Sequence, residues 1–457
     1  MKKKVLFVVP DGTGIKNYLF SNIIQFLKDK NTALTICHSL SNDAILEIEK
    51  VHGIKLNQIE LISYKETKKQ KFYRESASYA RLLHNARLVN NETILTNWNT
   101  NFTGGKKVFY KLIELYGKRL SKNYDRILRV EKKYKETLNK SISNEVNILE
   151  EIQPDVIFCT HQRSLNALPI ITASKHLNIK TIGAIYSWDN LPKARLTVRT
   201  DEYVVWSEYM KNEIALYYPE IEKSKIHITG TPQFEFYSKT NNSKNKADFF
   251  NEHDLDINKK TICFSGDDEK TSPFDPKYLE DLASVISTAG KANDYQIVFR
   301  RCPVDLSGRY DSVLKKYKNI IKPIAPLWSN NKESWTHIYP LTVDIKLLAN
   351  ICRHSDLVIN IGSTMAHDFT CFSKPSAYIN YDAVKGTDWS VKTIYQFQHF
   401  RSMADKKAVY WVNSKEEMLA TIEKALLSPS DESTAWLNKI AAYRNDASKN
   451  IVEYLLK

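Results

Sequence analysis

The sequence predicts an α/β protein made of two successive parallel-sheet domains. Short, apolar, β-branched runs recur along the chain, each followed by a polar turn and a segment of helical spacing. This strand-first pattern begins at 4–9 (KVLFVV) and begins again at 260–265 (KTICFS). Between the two, residues 238–247 are rich in Asn, Ser and Lys, the composition of a linker. The 457 residues leave room for two domains, and a hydrophobic fraction of 42% supplies cores and excludes a disordered polymer.

Charge is concentrated. Residues 65–140 hold 19 Lys and Arg against 7 Asp and Glu, a local net of +12 within a total of +14. Such a segment suits an anionic partner, and a membrane surface is the expectation here, with a solvated lysine-rich helical face as the alternative. Nucleic acid is not expected as a partner. The six cysteines (37, 159, 263, 302, 352 and 371) form no CxxC pair. They read as small buried residues of a reducing compartment, not as a zinc site. The N-terminal apolar run is too short for a secretion signal, and no run reaches the roughly 18 apolar residues of a membrane span. The expected location is cytoplasmic, with peripheral attachment to the inner face of the plasma membrane as an option.

In chain order, the strand at 4–9 meets a glycine-rich turn, Pro10-Asp11-Gly12-Thr13-Gly14, and then a helix over 15–30. Asp11 is a candidate catalytic carboxylate, and Lys16 and Asn17 lie on the first helical turn beside it. Strands follow at 32–37 and 58–63. Segment 73–91 and two helices, 108–130 and about 131–151, form a basic helical insertion; the apolar positions of 108–130 keep a helical period with basic residues between. The strand at 154–160 ends in His161, Gln162 and Arg163. The strand at 180–186 ends in Ser187, Trp188, Asp189 and Asn190, where Trp188 offers an aromatic platform for a sugar face. Ligands of open α/β sheets gather beyond the carboxyl ends of strands. Strands at 202–206 and 225–228 complete the half.

In the second half the strand at 260–265 ends in Gly266, and the strand at 296–300 delivers Arg300 and Arg301, suited by their forked guanidiniums to phosphate. Trp328, Trp335 and Tyr339 are candidates to stack on a base. Residues 356–360 form a buried strand, 361–364 (Ile-Gly-Ser-Thr) a tight turn, 365–372 a helix capped by Ser363 or Thr364, and 376–380 the next strand. Free N–H groups at such a turn are a natural phosphate site. Asp368, one turn in, is placed to meet a ribose diol.

Two stretches resemble the GT-B glycosyltransferases. Gly362, Ser363, Thr364, Asp368, Lys374 and Pro375 match their donor-binding segment, with Asp368 in place of the commoner Glu and Ser373 in place of Gly. Gly230-Thr231-Pro232-Gln233-Phe234-Glu235 resembles the segment on which many of them leave their first domain. The resemblance implies two Rossmann-like domains facing across a cleft: an acceptor domain at 1–237 with an insertion at about 65–150, a linker at 238–258, a donor domain at 259–440, and a final helix at 441–457 returning to the first domain. It implies metal-independent transfer of a sugar from a nucleotide-activated donor, a co-substrate and not a cofactor, to a hydroxyl of a glycan, glycolipid or glycoprotein. Gly266, Arg300, Arg301, Gly362, Ser363, Thr364 and Asp368 then serve the donor. Lys16, Asn17, Arg163, Trp188, Asp189 and Asn190 serve the acceptor, with Asp11 first and His161 second as general base. Alternatives within this fold are a transferase using a CMP-linked acidic nine-carbon sugar, a CDP-alditol glycerophosphotransferase and a UDP-sugar 2-epimerase. A non-catalytic binding protein is disfavoured by the polar residues at so many strand ends.

Overall fold

The computed structural model describes residues 2–99, 101–139, 142–239, 242–329, 338–428 and 431–457. The chain divides into two compact units. Unit 1 holds residues 1–232, 397–399 and 440–457, and unit 2 holds 233–396 and 400–439. Each is the parallel-sheet α/β domain that the sequence predicts.

The sheet of unit 1 contains β1 (Lys4–Val9), β2 (Ala33–His38), β3 (Asn57–Glu60), β4 (Val156–Cys159), β5 (Lys180–Ala184), β6 (Glu202–Val205) and β7 (Ile226–Ile228), in the order β3-β2-β1-β4-β5-β6-β7. All neighbours run parallel. Central strands are covered on both faces, so β1 from Val5 onward and all of β4 are apolar, without alternation. The helices are α1 (Ile23–Asp29), α2 (Asn42–His52), α3 (Lys68–Leu88), α4 (Gly104–Leu120), α5 (Tyr124–Leu138), α6 (Ser143–Ile152), α7 (Leu168–His176) and α8 (Glu208–Tyr217).

Two helix expectations need correction. The continuous helix over 15–30 is instead a π-helical turn, Ile15–Leu19, followed by α1. Ile15, Asn17, Tyr18 and Leu19 are all buried, so the segment has no solvent face to give it an amphipathic period. The helix over 108–130 is two helices, because the chain breaks after Leu120 and Asn123 caps α5 by accepting from the Arg126 N–H at 3.3 Å. Past that break, Ile127, Val130, Tyr134 and Leu138 form the buried stripe of α5.

The insertion is fastened to unit 1 by a buried ion network. Arg81 of α3 is 1% exposed. It donates to Glu131 at 2.5 and 2.9 Å and to Glu220 at 2.8 Å, and Arg199 reaches the same two carboxylates at 3.2 and 3.1 Å. The C-terminal segment also belongs to unit 1. The Ala442 N–H donates to Trp206 O at 2.8 Å, and the helix Ala447–Leu455 packs on α1 and sends the Tyr454 hydroxyl to Glu202 at 2.5 Å.

Unit 2 carries β8 (Lys260–Ser265), β9 (Tyr295–Arg300), β10 (Ile321–Pro323), β13 (Leu357–Asn360), β14 (Ser376–Ile379) and β15 (Tyr410–Val412), ordered β10-β9-β8-β13-β14-β15 and all parallel. A two-stranded antiparallel ribbon, β11 (Trp328–Ser329) with β12 (Tyr339–Pro340), stands apart. The expected linker at 238–258 is not open chain throughout. It contains the helix Lys246–Glu252, whose Phe249 and Phe250 bury in the unit 2 core, and the unit boundary falls earlier, at Pro232–Gln233 within the Gly230–Glu235 motif. Two adjacent buried rings outweigh the polar residues around them.

Arg81→Met leaves Glu131 and Glu220 with Arg199 as their one remaining cationic partner in this network. We expect it to lower unfolding free energy by about 3–5 kcal/mol in urea denaturation, the scale for breaking a buried pair from one side.

Candidate functional site

In unit 1 the sheet order reverses its direction of winding between β1 and β4. Open α/β sheets form a crevice at such a switch point, beyond the carboxyl ends of the two strands. The β1–β4 register pairs Val8 with Cys159, so the residues that follow each strand emerge side by side. Those residues are Asp11 and His161.

Asp11 is extended (φ −169°) and caps the short turn Gly12–Gly14, its Oδ1 accepting from the Thr13 N–H at 3.1 Å. Its Oδ2 meets His161 Nδ1 at 2.7 Å. Asp11 and His161 are 4% and 3% exposed. Gly14 makes the close approach possible, since a Cβ there would stand 2.8 Å from Thr160 Cβ. Burial by itself raises Asp11, but the hydrogen bond and charge of His161, with the Thr13 N–H, outweigh it and hold the carboxyl below its ordinary value. A carboxylate at Nδ1 assigns the proton there and leaves Nε2 as the lone-pair nitrogen. That Nε2 is buried with no hydrogen-bond partner, and the Tyr186 ring stands edge-on to the imidazole at 4.7 Å. Asp11 thus sits behind the imidazole and fixes its orientation, and Nε2 is the ring nitrogen turned away from Asp11.

The turn after β5 braces this pair. Gln162 donates to Asn190 Oδ1 at 3.3 Å and accepts from the Tyr186 N–H at 3.4 Å, and Arg163 reaches the same Asn190 oxygen at 3.4 Å. Asp189 accepts from Ser187 at 2.6 Å, from Asn190 at 2.9 Å and from Lys193, which together hold it well below the usual carboxylate range despite burial. Trp188 is 3% exposed and packs edge-on to His399 at 4.9 Å, so its ring is interior packing and offers no sugar platform. Burial, opposed by Asp189, pushes the His399 imidazole down to about 4. Lys16 and Asn17 lie on the π-helical turn, Lys16 half-buried and Asn17 buried.

In unit 2 the switch point lies between β8 and β13, and it brings together Gly266, which follows β8, and the turn Ile361–Thr364, which follows β13. Gly362 has φ +67°, and the Ser363 N–H is held by Asn360 Oδ1 at 2.8 Å. Ser363 is half-buried and Thr364 exposed. Thr364 occupies the cap position of the helix Met365–Thr370 without a side-chain hydrogen bond, while Ser363 Oγ accepts from the Met365 N–H at 3.4 Å.

Three donor-side expectations change. Asp368 is 6% exposed, and its carboxylate lies near the Tyr237 hydroxyl and Cys352, in the interior. Arg300 is 4% exposed, with its Nη2 donating to both Asp344 oxygens at 2.9 Å. Asp344 also takes the Leu327 N–H and the Trp328 indole N–H, each at 2.8 Å, so the Arg300 charge is spent in a buried network. Arg301 is half-buried and donates to Asp305 O at 2.6 Å. Trp328 is tied to Asp344, Tyr339 is buried, and Trp335 lies outside the described residues.

Sequence reasoning passed over a carboxyl pair beside Gly266. The Asp267 N–H donates to Asp275 Oδ2 at 2.5 Å, the Ser272 hydroxyl to Asp275 Oδ1 at 2.5 Å, and Arg309 binds Asp267 O at 2.6 Å. Burial pushes both carboxyls above their ordinary values, and for Asp267 the nearby Asp275 and Asp268 add to the push. The signal was faint, because Asp275 reads as an ordinary first-turn helix residue.

No protein-family model and no curated protein matches the sequence. Solved structures do. The chain is similar to UDP-GlcNAc 2-epimerase from Neisseria meningitidis bound to UDP-GlcNAc, with a TM-score of 0.56, 14% identity and 99% of each chain covered. It is similar to UDP-GlcNAc 2-epimerase from Methanocaldococcus jannaschii, with a TM-score of 0.54, 13% identity, and 100% of this chain and 99% of that one covered. It is also similar to a glycosyltransferase from Rickettsia africae, with a TM-score of 0.50, 13% identity and coverages of 99% and 94%. These likenesses establish the fold. It is the GT-B type of two parallel-sheet α/β domains, as the two motifs imply.

Glu213 of α8 gives a pH signature. It is 5% exposed, and burial pushes it up to about 8. The folded chain thus keeps a proton that the unfolded chain loses above its ordinary value of 4.5. Stability should fall as pH rises from 4.5 to 8, and Glu213→Gln should flatten that fall, read as urea midpoints at pH 5 and pH 8.

Proposed function

We propose that this protein is an enzyme that breaks the anomeric C1–O bond of a nucleotide-activated sugar, with His161 accepting the proton that the reaction releases. The observation that supports the reading is the buried Asp11–His161 pair at the β1–β4 switch point, whose Nε2 has no hydrogen-bond partner among the described residues. A base so oriented suits general catalysis of proton transfer. The Gly362–Thr364 turn in unit 2 is the proposed nucleotide-phosphate site.

Two reactions fit. The first is inversion at C2 of a UDP-sugar, and the UDP-GlcNAc 2-epimerases that the chain resembles along its whole length support it. A C2 hydrogen is not acidic by itself. Its removal becomes feasible when UDP leaves the neighbouring C1 in the same step, which makes the step an elimination. Return of UDP to C1 and of a proton to the other face of C2 completes the inversion with no oxidant. The second reaction is transfer to a hydroxyl acceptor, in which His161 takes the hydroxyl proton as the nucleotide departs. The outer face of α4 favours this one. Val108, Leu112 and Leu115 are 61%, 53% and 66% exposed and recur at one-turn spacing, beside exposed Lys107, Lys111, Lys118 and Arg119. An apolar stripe with basic flanks suits an anionic bilayer, where a lipid-borne acceptor is presented. Among the described residues, no helix is long and apolar enough to cross a membrane.

Thermal-shift measurements with UDP, GDP, CMP and CDP identify the nucleotide, because a bound ligand raises stability with its affinity. With a UDP-sugar alone, appearance of the C2 epimer establishes the first reaction. Release of nucleotide only when an acceptor is added establishes the second, and no turnover of any nucleotide-sugar defeats both. His161→Ala should reduce turnover by roughly 10²–10⁴-fold in either case.

Anionic vesicles should sediment the protein at low salt, and neutral vesicles should not. Leu112→Asp with Leu115→Asp should keep it in the supernatant while nucleotide binding is unchanged. Unmodified protein that stays in the supernatant at low salt removes the membrane assignment.

A further inference from the structure

A cavity of about 170 Å³ opens in unit 1 where the helical insertion meets the sheet layer, between α3, α5 and α7. Its floor is apolar: Ala77, Leu138, Leu168, Ile171 and Leu196. No residue of the Asp11–His161 pair, nor of the hydrogen bonds that brace it, lines this cavity.

Its walls carry many cations, but most are already matched. Arg81 and Arg199 share Glu131 and Glu220, and both guanidiniums lie over the Tyr218 ring, at 4.6 and 4.7 Å. Arg74 is held by Glu66 at 2.8 Å and by Glu75 at 3.0 Å. Lys135 of α5 and Lys175 of α7 are different. Both line the cavity, and among the described residues neither ammonium forms an ion pair. Both side chains line the cavity and are also exposed to solvent, so their ammonium groups stand where the apolar floor meets water. Desolvation lowers both ammonium groups and Arg199 adds to it, against the attraction of Glu131 for Lys135 and of Asp201 for Lys175. Cations without an ion pair at the edge of an apolar floor suit an anionic head.

We propose that this cavity binds an amphiphile with a single alkyl chain and an anionic head, the chain against Leu138, Leu168 and Ile171 and the head between Lys135 and Lys175. Phosphate and carboxylate heads meet the same requirement, and the site differs from the nucleotide and proton-transfer sites above.

Titration calorimetry of the full chain tests this with dodecyl phosphate below its micelle concentration, alongside dodecanoate, dodecyl maltoside and inorganic phosphate. The two anionic amphiphiles should bind at one site per chain, at least tenfold tighter than the neutral amphiphile or inorganic phosphate. Lys135→Ala with Lys175→Ala should weaken dodecyl phosphate at least tenfold and leave dodecyl maltoside unchanged. Thr172→Trp, on the cavity wall, should abolish binding of every amphiphile. If Thr172→Trp does not fold, the lysine double variant decides by itself. Dodecyl phosphate that binds no tighter than inorganic phosphate shows a free-phosphate site and overturns the proposal, as does binding that the lysine variant leaves unchanged.

Discussion

The parallel pairing of β1 with β4 is the constraint on which unit 1 depends. It joins residues 5–8 to residues 156–159, across a stretch of chain that contains two further strands and the whole helical insertion. Every backbone group of these buried strands needs a partner, so the register admits no slip without loss of hydrogen bonds. Asp11 and His161 meet because that register is fixed. The small side of Gly14 lets the first turn lie against Thr160, and the Thr160 N–H donates to Val8 O at 3.1 Å. A buried Asp–His pair is thereby assembled from residues 150 positions apart by ordinary sheet hydrogen bonding.

Much of this was legible in the sequence, for a physical reason. Strands covered on both faces must be apolar without interruption, so β1, β4, β5 and β8 announce themselves as short hydrophobic runs. The turns after such strands are legible too, which is why Asp11, His161, Gly266 and the Gly362–Thr364 turn can be placed at strand ends from the sequence. Which residue stands in front of which cannot be read there. Asp11 and His161 were ranked as alternatives because a sequence carries no register between distant strands. The helix boundary at Leu120 was lost because the apolar spacing continues across a break that only the Asn123 cap reveals.

The failures share another cause. Trp188, Asp368 and Arg300 were read as facing ligand because each follows or ends a strand, or opens a helix, in the expected place. Burial reverses the meaning of such positions. The Asp368 carboxylate lies near Tyr237, and Arg300 pairs with Asp344 through Nη2. Charged groups inside a protein are retained where a partner is present, and the partners here lie 131 and 44 residues away. Ser373 illustrates a milder departure. It adopts φ +55°, the left-handed conformation that glycine adopts without strain, so the turn before Lys374-Pro375 keeps its shape at some backbone cost.

Unit 1 is not a continuous stretch of chain, since its last residues, 440–457, are made after all of unit 2. The Tyr454–Glu202 hydrogen bond and the packing of the helix Ala447–Leu455 on α1 cannot form until residues 440–457 have left the ribosome. During synthesis, unit 2 therefore has its full sequence while the opening domain still waits for its closing helix. The nascent chain carries an unsealed first domain throughout the making of unit 2, and that interval exposes it to aggregation and to proteases.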